Sequence, residues 1–243
     1  MLGREAKPRR IIRGLASGYR ISVSPNEHLA YLLGTAEPHL QRAIKKYVGT
    51  GDTAYDIGAN MGYVSLSLAK RVGPSGNVIA FEPVPRNVEL LRMNIENNQL
   101  LNVRVFDVAA SDRLGEAVIR ISGNLSTASL IWHKNDPSSI ELKIQTVTID
   151  DLVEADGLPK PKFVKIDVEG AEGFALLGMS RTLATAKPVV FLECSEAGRE
   201  TSWRLLSKLG YRCKAAISGK WVNAFEDYRH SDFLWLPADR TNC

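Results

Sequence analysis

From residue 50 onward, short β-rich apolar runs alternate with stretches whose apolar residues recur at helical spacing. Thr53-Ala54-Tyr55-Asp56-Ile57-Gly58 reads as a strand. Val64, Leu68 and Val72 then lie four apart on one helical face, and Gly73-Pro74 ends that helix. A second strand, Asn77 to Glu82, is followed by Pro83 and Pro85 and by a helix carrying Val88, Leu91 and Ile95 that stops in Asn97-Asn98. Asn102 to Val108 is a third strand. After an interruption the rhythm resumes at Phe163 to Val168, with a helix running through Phe174, Leu177 and Leu183. Pro188 to Glu193 is a fifth strand, and Trp203 and Leu206 mark another helix. Tyr211 to Ile217 and Asp232 to Leu236 have no helical pattern between them and predict an antiparallel pair. Strand–helix alternation of this kind specifies an α/β fold, a doubly wound and mostly parallel sheet.

The interruption spans about residues 115–149. Ala117 to Ile121 and Leu142 to Val147 read as strands around a Ser/Thr/Asn-rich stretch, an inserted hairpin of the kind that carries substrate contacts at strand ends. Thr148 to Val153 is a short helical turn. Ahead of the main pattern, Ile11 to Leu15 and Tyr19 to Val23 flank Ala16-Ser17-Gly18 as a hairpin, and Pro38 to Val48 is a helix. The expected organisation is a basic arm, hairpin and helix at 1–49, packed as a lid or edge on a domain at 50–243.

Composition adds bounds. At 243 residues, 44% hydrophobic and 24% charged, the chain is an ordinary globular one. No apolar run nears the ~18 residues of a membrane span, and the N-terminus lacks an apolar signal core. Three cysteines, Cys194, Cys213 and Cys243, suggest neither a disulfide framework nor a zinc cluster, so a reducing cytoplasm is the expected setting. The first twenty residues hold six basic groups against Glu5 alone, a local +5, so the rest of the net +4 chain sums to −1. That arm reads as a solvated terminus, with contact to an anionic membrane surface, nucleic acid or an anionic substrate as the alternatives. No basic stripe with interleaved aromatics runs through the body, which speaks against nucleic acid. The sequence leaves the oligomeric state open.

Asp56-x-Gly58-x-x-x-Gly62 sits where the first strand hands over to a helix, the context that a nucleotide loop requires. Gly58 permits the sharp turn, and Gly62 is expected to let a ligand lie against backbone. Asn60 stands where a dinucleotide loop has its middle glycine. An acid at the strand end suits a cationic ligand and repels a pyrophosphate, which ranks S-adenosylmethionine above NAD. Glu82, at the tip of the second strand, is placed to accept hydrogen bonds from ribose hydroxyls. Asp56, Gly58, Ala59, Asn60, Gly62 and Glu82 form the expected cofactor set.

Asp-Ile-Gly-Ala-Asn-Met-Gly-Tyr at 56–63, Phe-Glu-Pro at 81–83 and Lys-Ile-Asp-Val-Glu-Gly-Ala-Glu at 165–172 together resemble the FkbM-type methyltransferases. Phe191-Leu192-Glu193 and the run from Gly14 to Arg20 fit the same pattern. The resemblance implies a Rossmann-like class I fold, a seven-stranded sheet with a C-terminal antiparallel strand. It also implies methyl transfer to a hydroxyl of a small molecule, sugar or lipid-like acceptor. One position departs from the pattern. Where many class I enzymes hold an Asp for the adenine amino group, this chain reads Val108-Ala109-Ala110-Ser111, leaving backbone or Ser111 and Asp112 for that contact.

A hydroxyl is a poor nucleophile and needs a base within reach or a cation that lowers its pKa. Asp167, Glu169 and Glu172 cluster at the end of the fourth strand, and Glu193 ends the fifth. Asp167, Glu169 and Glu193 are the catalytic candidates. Asp167 or Glu169 would act as general base, or Asp167 and Glu193 would hold a Mg²⁺-like ion. The plainer role for Glu169 and Glu172 is to favour the N-terminus of the next helix. His28, His39, His133 and His230 show no ligand spacing, although His133 shares the insertion with Ser126, Thr127 and Ser129. Cys194 reads as a small core residue. Competing functions are a nucleotide-dependent Rossmann oxidoreductase, disfavoured by Asp56 and the absence of Tyr-x-x-x-Lys, a nucleic-acid methylase, and a cofactor-binding scaffold without catalysis.

Overall fold

A computed structural model describes residues 7–23, 29–121, 128–129, 140–225 and 231–240. The chain opens with a two-stranded antiparallel hairpin, β1 (Pro8–Arg10) and β2 (Arg20–Ser22), then α1 (Leu29–Leu33) and α2 (Pro38–Tyr47). Next come β3 (Thr53–Ile57), α3 (Tyr63–Val72), β4 (Asn77–Phe81), α4 (Pro85–Asn97) and β5 (Val103–Phe106). The insertion holds β6 (Ala109–Ala110), β7 (Gly115–Ile121), β8 (Ala128–Ser129) and β9 (Ile140–Val147), and α5 (Ile149–Glu154) follows. The remainder is β10 (Phe163–Ile166), α6 (Glu172–Leu177), α7 (Ser180–Ala186), β11 (Val189–Glu193), α8 (Arg199–Lys208), β12 (Tyr211–Ala215), β13 (Trp221–Val222) and β14 (Asp232–Pro237).

The main sheet runs β13-β12-β14-β11-β10-β3-β4-β5. Neighbours from β5 to β11 are parallel, whereas β14 runs antiparallel to both β11 and β12. This is the Rossmann-like class I arrangement, seven strands with one reversed, plus the two-residue edge strand β13. The order turns back on itself at β3, because β4 and β5 lie on one side of it and β10 on the other. Such a switch point opens a crevice at the carboxyl ends of the strands, which is where ligands sit in these sheets. Apolar clusters cover both faces of the sheet, one including Leu176, Leu183 and Leu206 and the other Leu40, Ile44 and Leu68. Among the described residues no helix is long and apolar enough to cross a membrane.

The insertion is a second sheet, β6-β9-β7-β8, in which β7 and β9 pair antiparallel from Gly115↔Thr146 to Ile121↔Ile140. Ile119 and Ile144 on its inner side pack against Val84, the residue before α4. The N-terminal hairpin is tied to α4 by asparagines. Ser22 N–H donates to Asn94 Oδ1 at 2.7 Å, Asn94 Nδ2 donates to Met61 O at 2.8 Å, and Arg20 N–H donates to Asn98 Oδ1 at 2.7 Å.

Two elements differ from the sequence pattern. The hairpin was expected with its first strand at Ile11–Leu15, but β1 lies at Pro8–Arg10 and a wider loop follows. Ile11 and Ala16 are drawn into the core beside Ile21 and Leu66, and Ile12 N–H is donated to Leu32 O instead of to a partner strand. The single helix expected through Phe174, Leu177 and Leu183 is two. Asp150, buried on α5, accepts from Arg181 N, Thr182 N and Thr182 Oγ at 2.7 to 2.9 Å, starting a new helix from outside. Phe174 and Leu177 consequently face outward, while Ala175, Leu176, Met179 and Leu183 are buried.

Gly178 lies at this break, where a Cβ would come within 1.8 Å of Ser111 O. Neither atom is the end of a flexible side chain, so backbone must move. Gly178→Ala should lower stability by about 1–3 kcal/mol, read as the shift in a urea unfolding midpoint. An unchanged midpoint would contradict this packing of α6 against the β6 loop.

Candidate active site

The crevice between β3 and β10 is organised by a lysine. Every residue of β10 is buried, including Lys165, whose register partner on β3 is Asp56. Lysine is almost never fully buried without partners. Here Nζ lies 3.3 Å from Asp167 Oδ2 and 3.5 Å from Asp56 Oδ1, and it donates to Gly58 O at 2.7 Å. Burial by itself would pull its pKa down, but Asp167 and then Asp56 outweigh that and hold the ammonium above the ordinary lysine value. Asp56 is fully buried. Its Oδ2 accepts from Ser65 Oγ at 2.6 Å, and Oδ1 has no hydrogen bond among the described residues, only the nearby ammonium.

The loop after β3 is shaped by close backbone approach. Gly58 has φ +77°, and a Cβ there would meet Asp167 O at 1.8 Å. Asn60, also left-handed at φ +49°, donates its N–H to Glu82 Oε2 at 2.8 Å. Glu82 Oε1 accepts from Val84 N–H at 3.0 Å and Asn87 Nδ2 at 3.2 Å. Burial raises the Glu82 pKa, and those donors oppose the rise.

Gly62 departs from its expected role. At φ +95°, the space a side chain would fill is occupied by Leu91 Cδ1, 2.5 Å from the would-be Cβ. This glycine serves the packing of α3 on α4, and it is not among the residues lining the cavity described below. Ala59 is likewise in the core, with Ala80 and Leu91.

A cavity of about 280 Å³ opens over this crevice. Gly58, Asn60 and Glu82 line it, and Asp167, Glu169 and Glu193 do so as well. Asp56, Ala59 and Gly62 stand behind the wall. Ser111 and Asp112 line a neighbouring cavity of about 720 Å³ that shares Ala109 and Ala110 with the first. One side is apolar, with Phe81, Val84, Val108, Ile119 and Ile144. The polar side contains two residues that the sequence pattern did not single out, Tyr31 and Glu37. Glu37 is the residue before α2, left-handed at φ 52°, and its side chain makes no cap hydrogen bond to the helix.

Five carboxylates line this cavity, Glu37, Glu82, Asp167, Glu169 and Glu193, with no Lys, Arg or His among its described lining. The consequence shows in Glu193. Burial, then Asp167, Asp232 and Glu37, push its pKa up from 4.5 to about 8. Glu169 is raised by burial and then by Asp167 and Glu172. Glu172 itself does not face the cavity. Buried, it accepts from Gly170 N–H at 2.8 Å and Ser195 Oγ at 3.0 Å, tying the loop after β10 to the loop after β11.

Asp167 and Glu193, considered as Mg²⁺ ligands, do line one cavity. Among the described residues, however, no three His, Cys, Asp or Glu side chains are grouped to hold a metal, and Lys165 already takes one oxygen of Asp167. Cys194 is buried with Sγ 3.8 Å from Ser202 Oγ, in keeping with a packing role. His39 contacts Arg42 on α2 and lines no part of the acidic cavity. His28, Ser126, Thr127, His133 and His230 lie outside the described residues, and Ser129 is described only as part of β8.

Comparison with known proteins settles the family. Residues 56–213, well over half of the chain, match the methyltransferase FkbM domain. The chain belongs to the FkbM methyltransferase family. It is 30% identical over 150 residues to the hexuronic acid methyltransferase AglP of Haloferax volcanii, covering 57% of this chain and 54% of that one. It is 29% identical over 158 residues to the 2-O-methyltransferase NoeI of Sinorhizobium fredii, covering 58% and 62%. The chain thus spans little more than half the length of these curated relatives. Among solved structures, the FkbM methyltransferase from Methylobacillus flagellatus superposes with a TM-score of 0.48 at 19% identity, over 85% of this chain and 52% of that one.

Two outcomes test the electrostatics of this family member's crevice. Lys165→Met would leave Asp56 as a buried charge without its cation and should cost about 3–5 kcal/mol in chemical denaturation, whereas a loss below 1 kcal/mol would contradict the pairing. Glu193 carries a raised pKa in the fold, so the stability it contributes is full below 4.5 and is lost as pH climbs through about 8. Glu193→Gln mimics the protonated form. Its Tm should match the parent near pH 4.5, rise above it with increasing pH and stay higher beyond pH 8. Equal melting curves at pH 9 would show that the site does not penalise the ionised carboxylate.

Proposed function

We propose that this chain transfers a methyl group from S-adenosylmethionine to a hydroxyl oxygen of a sugar-like acceptor. The observation that carries the reading is the charge of the cavity, five carboxylates and no cation among its described lining. A pyrophosphate-bearing dinucleotide would be repelled there. A donor with a sulfonium and an ammonium is attracted, and its nucleoside fits the rest of the wall. Glu82, buried and already held by three donors, presents a fixed acceptor for ribose hydroxyls, and the apolar side suits a purine. Family membership supports the donor, and the similarity to the hexuronic acid methyltransferase AglP and the 2-O-methyltransferase NoeI supports a glycan or small-molecule acceptor.

S-adenosylmethionine, when bound, supplies a methyl group on a sulfonium, a good electrophile. The chain's own work is to orient the acceptor and remove its proton. Lys165 fixes Asp167 at the rim by a charged contact. Glu193, with a pKa near 8, is a stronger base than an ordinary carboxylate and takes the hydroxyl proton as the oxygen bonds to carbon. Asp167 and Glu169, in the same wall, hold the acceptor hydroxyl in line. Tyr31 and Glu37 come from the segment before residue 50, which supports reading residues 1–49 as a lid on the acceptor side. The described residues supply the base without a metal, so turnover is expected to persist in EDTA; loss that Mg²⁺ restores would revive the metal reading.

Glu82→Gln should weaken S-adenosylhomocysteine binding at least tenfold by calorimetry, because a charged acceptor of hydrogen bonds is worth about 1.5–3 kcal/mol. Unchanged affinity would remove the ribose assignment. With a labelled methyl donor and an acceptor found by screening, kcat/KM should rise with pH through about 8. Glu193→Gln should abolish that limb and cut kcat by roughly 10²–10⁴-fold. A variant that kept both the rate and the profile would remove Glu193 as the base.

A further inference from the structure

The helix that begins at the acidic cavity carries the opposite charge along its length. His39, Arg42 and Lys46 are spaced by three and four residues and so share one face of α2. Across from them, Lys214 on β12 completes a groove of about 290 Å³. No acidic residue belongs to its described lining. Glu37, at the rim of the first cavity, immediately precedes α2. At about 1.5 Å of rise per residue, the groove starts roughly 3 Å beyond that residue and ends roughly 14 Å beyond it.

Among the described residues no carboxylate forms an ion pair with Arg42, Arg212 or Lys214. Arg212 and Lys214 lie on the Trp221 ring instead, at 4.3 and 4.1 Å from its centroid, which fixes Lys214 at the groove wall. Burial, then the neighbouring Lys46 and Arg212, lower the Lys214 pKa. Lysines in the last turn of α2 favour the helix dipole, but that does not account for Arg42 or for Lys214 on another element. Guanidinium and ammonium groups converging on a concave surface match a phosphoryl group. A flat membrane or a nucleic-acid strand would call for a broader basic face.

We propose that the groove between α2 and β12 binds a phosphoryl group carried by the acceptor, with the acceptor's reactive hydroxyl in the acidic cavity at the start of α2. This rests on the methyl-transfer reading, and it narrows the acceptor class to phosphorylated glycans and similar extended anions. The two cavities then divide the work by charge, the donor held by carboxylates and the acceptor's anionic end by cations.

The test uses the full chain at low ionic strength, with inorganic pyrophosphate as the probe and S-adenosylhomocysteine titrated separately. Pyrophosphate should bind the parent at one site, and Arg42→Ala/Lys214→Ala should weaken that binding at least tenfold. Tm and S-adenosylhomocysteine affinity should remain those of the parent. Lys214→Glu alone, a surface charge reversal, should weaken pyrophosphate as strongly and guards against a folding defect in the double variant. Equal pyrophosphate binding by parent and variants, or none by the parent, would overturn the proposal. So would sedimentation with phosphatidylglycerol vesicles, but not with phosphatidylcholine vesicles, in a protein that ignores pyrophosphate, since that marks a membrane contact. Pyrophosphate binding without S-adenosylhomocysteine binding would overturn the methyl-transfer reading, and the acceptor with it, while leaving an anion site in the groove.

Discussion

Lys165 is an ammonium buried in the middle of a parallel strand, and the ends of the neighbouring elements are arranged around it. It faces Asp56 across the β3–β10 ladder and Asp167 just beyond its own strand, and it donates to the carbonyl of Gly58. Each contact fixes a different piece of the crevice. The Asp56 contact anchors the start of the loop after β3, the Gly58 contact pins its turn, and the Asp167 contact sets a carboxylate at the rim of the cavity. Removing the ammonium would leave buried negative charge at the point where the sheet reverses its strand order. Two carboxylates so close together are tolerable only with that cation behind them.

The same arrangement explains why the cavity in front is so acidic. Lys165 sits behind the wall, so its charge moderates Asp167, Glu37 and Glu193 without presenting a cation to the ligand. Glu193 responds by holding its proton up to about pH 8. A cationic methyl donor entering this space would lower the cost of ionising Glu193, which couples donor binding to the creation of a base. Under the proposed function the donor would do more than fill the pocket, since its charge would favour the ionised form of Glu193. The groove along α2 has the opposite character, with Arg42, Lys46 and Lys214 and no acidic residue in its described lining.

What could be read from the sequence was local. Strand–helix alternation, the Asp56–Gly62 loop and Glu82 each depend on residues a few positions apart, and the structure places Gly58, Asn60 and Glu82 on one cavity wall. What escaped depends on partners distant in sequence. Gly62 could be read as a ligand contact because nothing local says that Leu91 fills the space above it. The break between α6 and α7 is set by Asp150, thirty-one residues before Arg181. Glu37 gives no signal at all, since its place in the cavity comes from how α2 packs on the sheet. Lys165 did leave one: a lysine in a strand otherwise apolar from Phe163 to Ile166 has to be paired.

An acidic crevice of this kind would select its cofactor by charge. Calorimetric titration of the chain at low ionic strength with S-adenosylmethionine and, separately, with NAD⁺ tests it most directly. S-adenosylmethionine should bind saturably at one site, more weakly as salt is raised, and NAD⁺ should give no measurable heat. Tighter binding of NAD⁺ than of S-adenosylmethionine would contradict selection by charge.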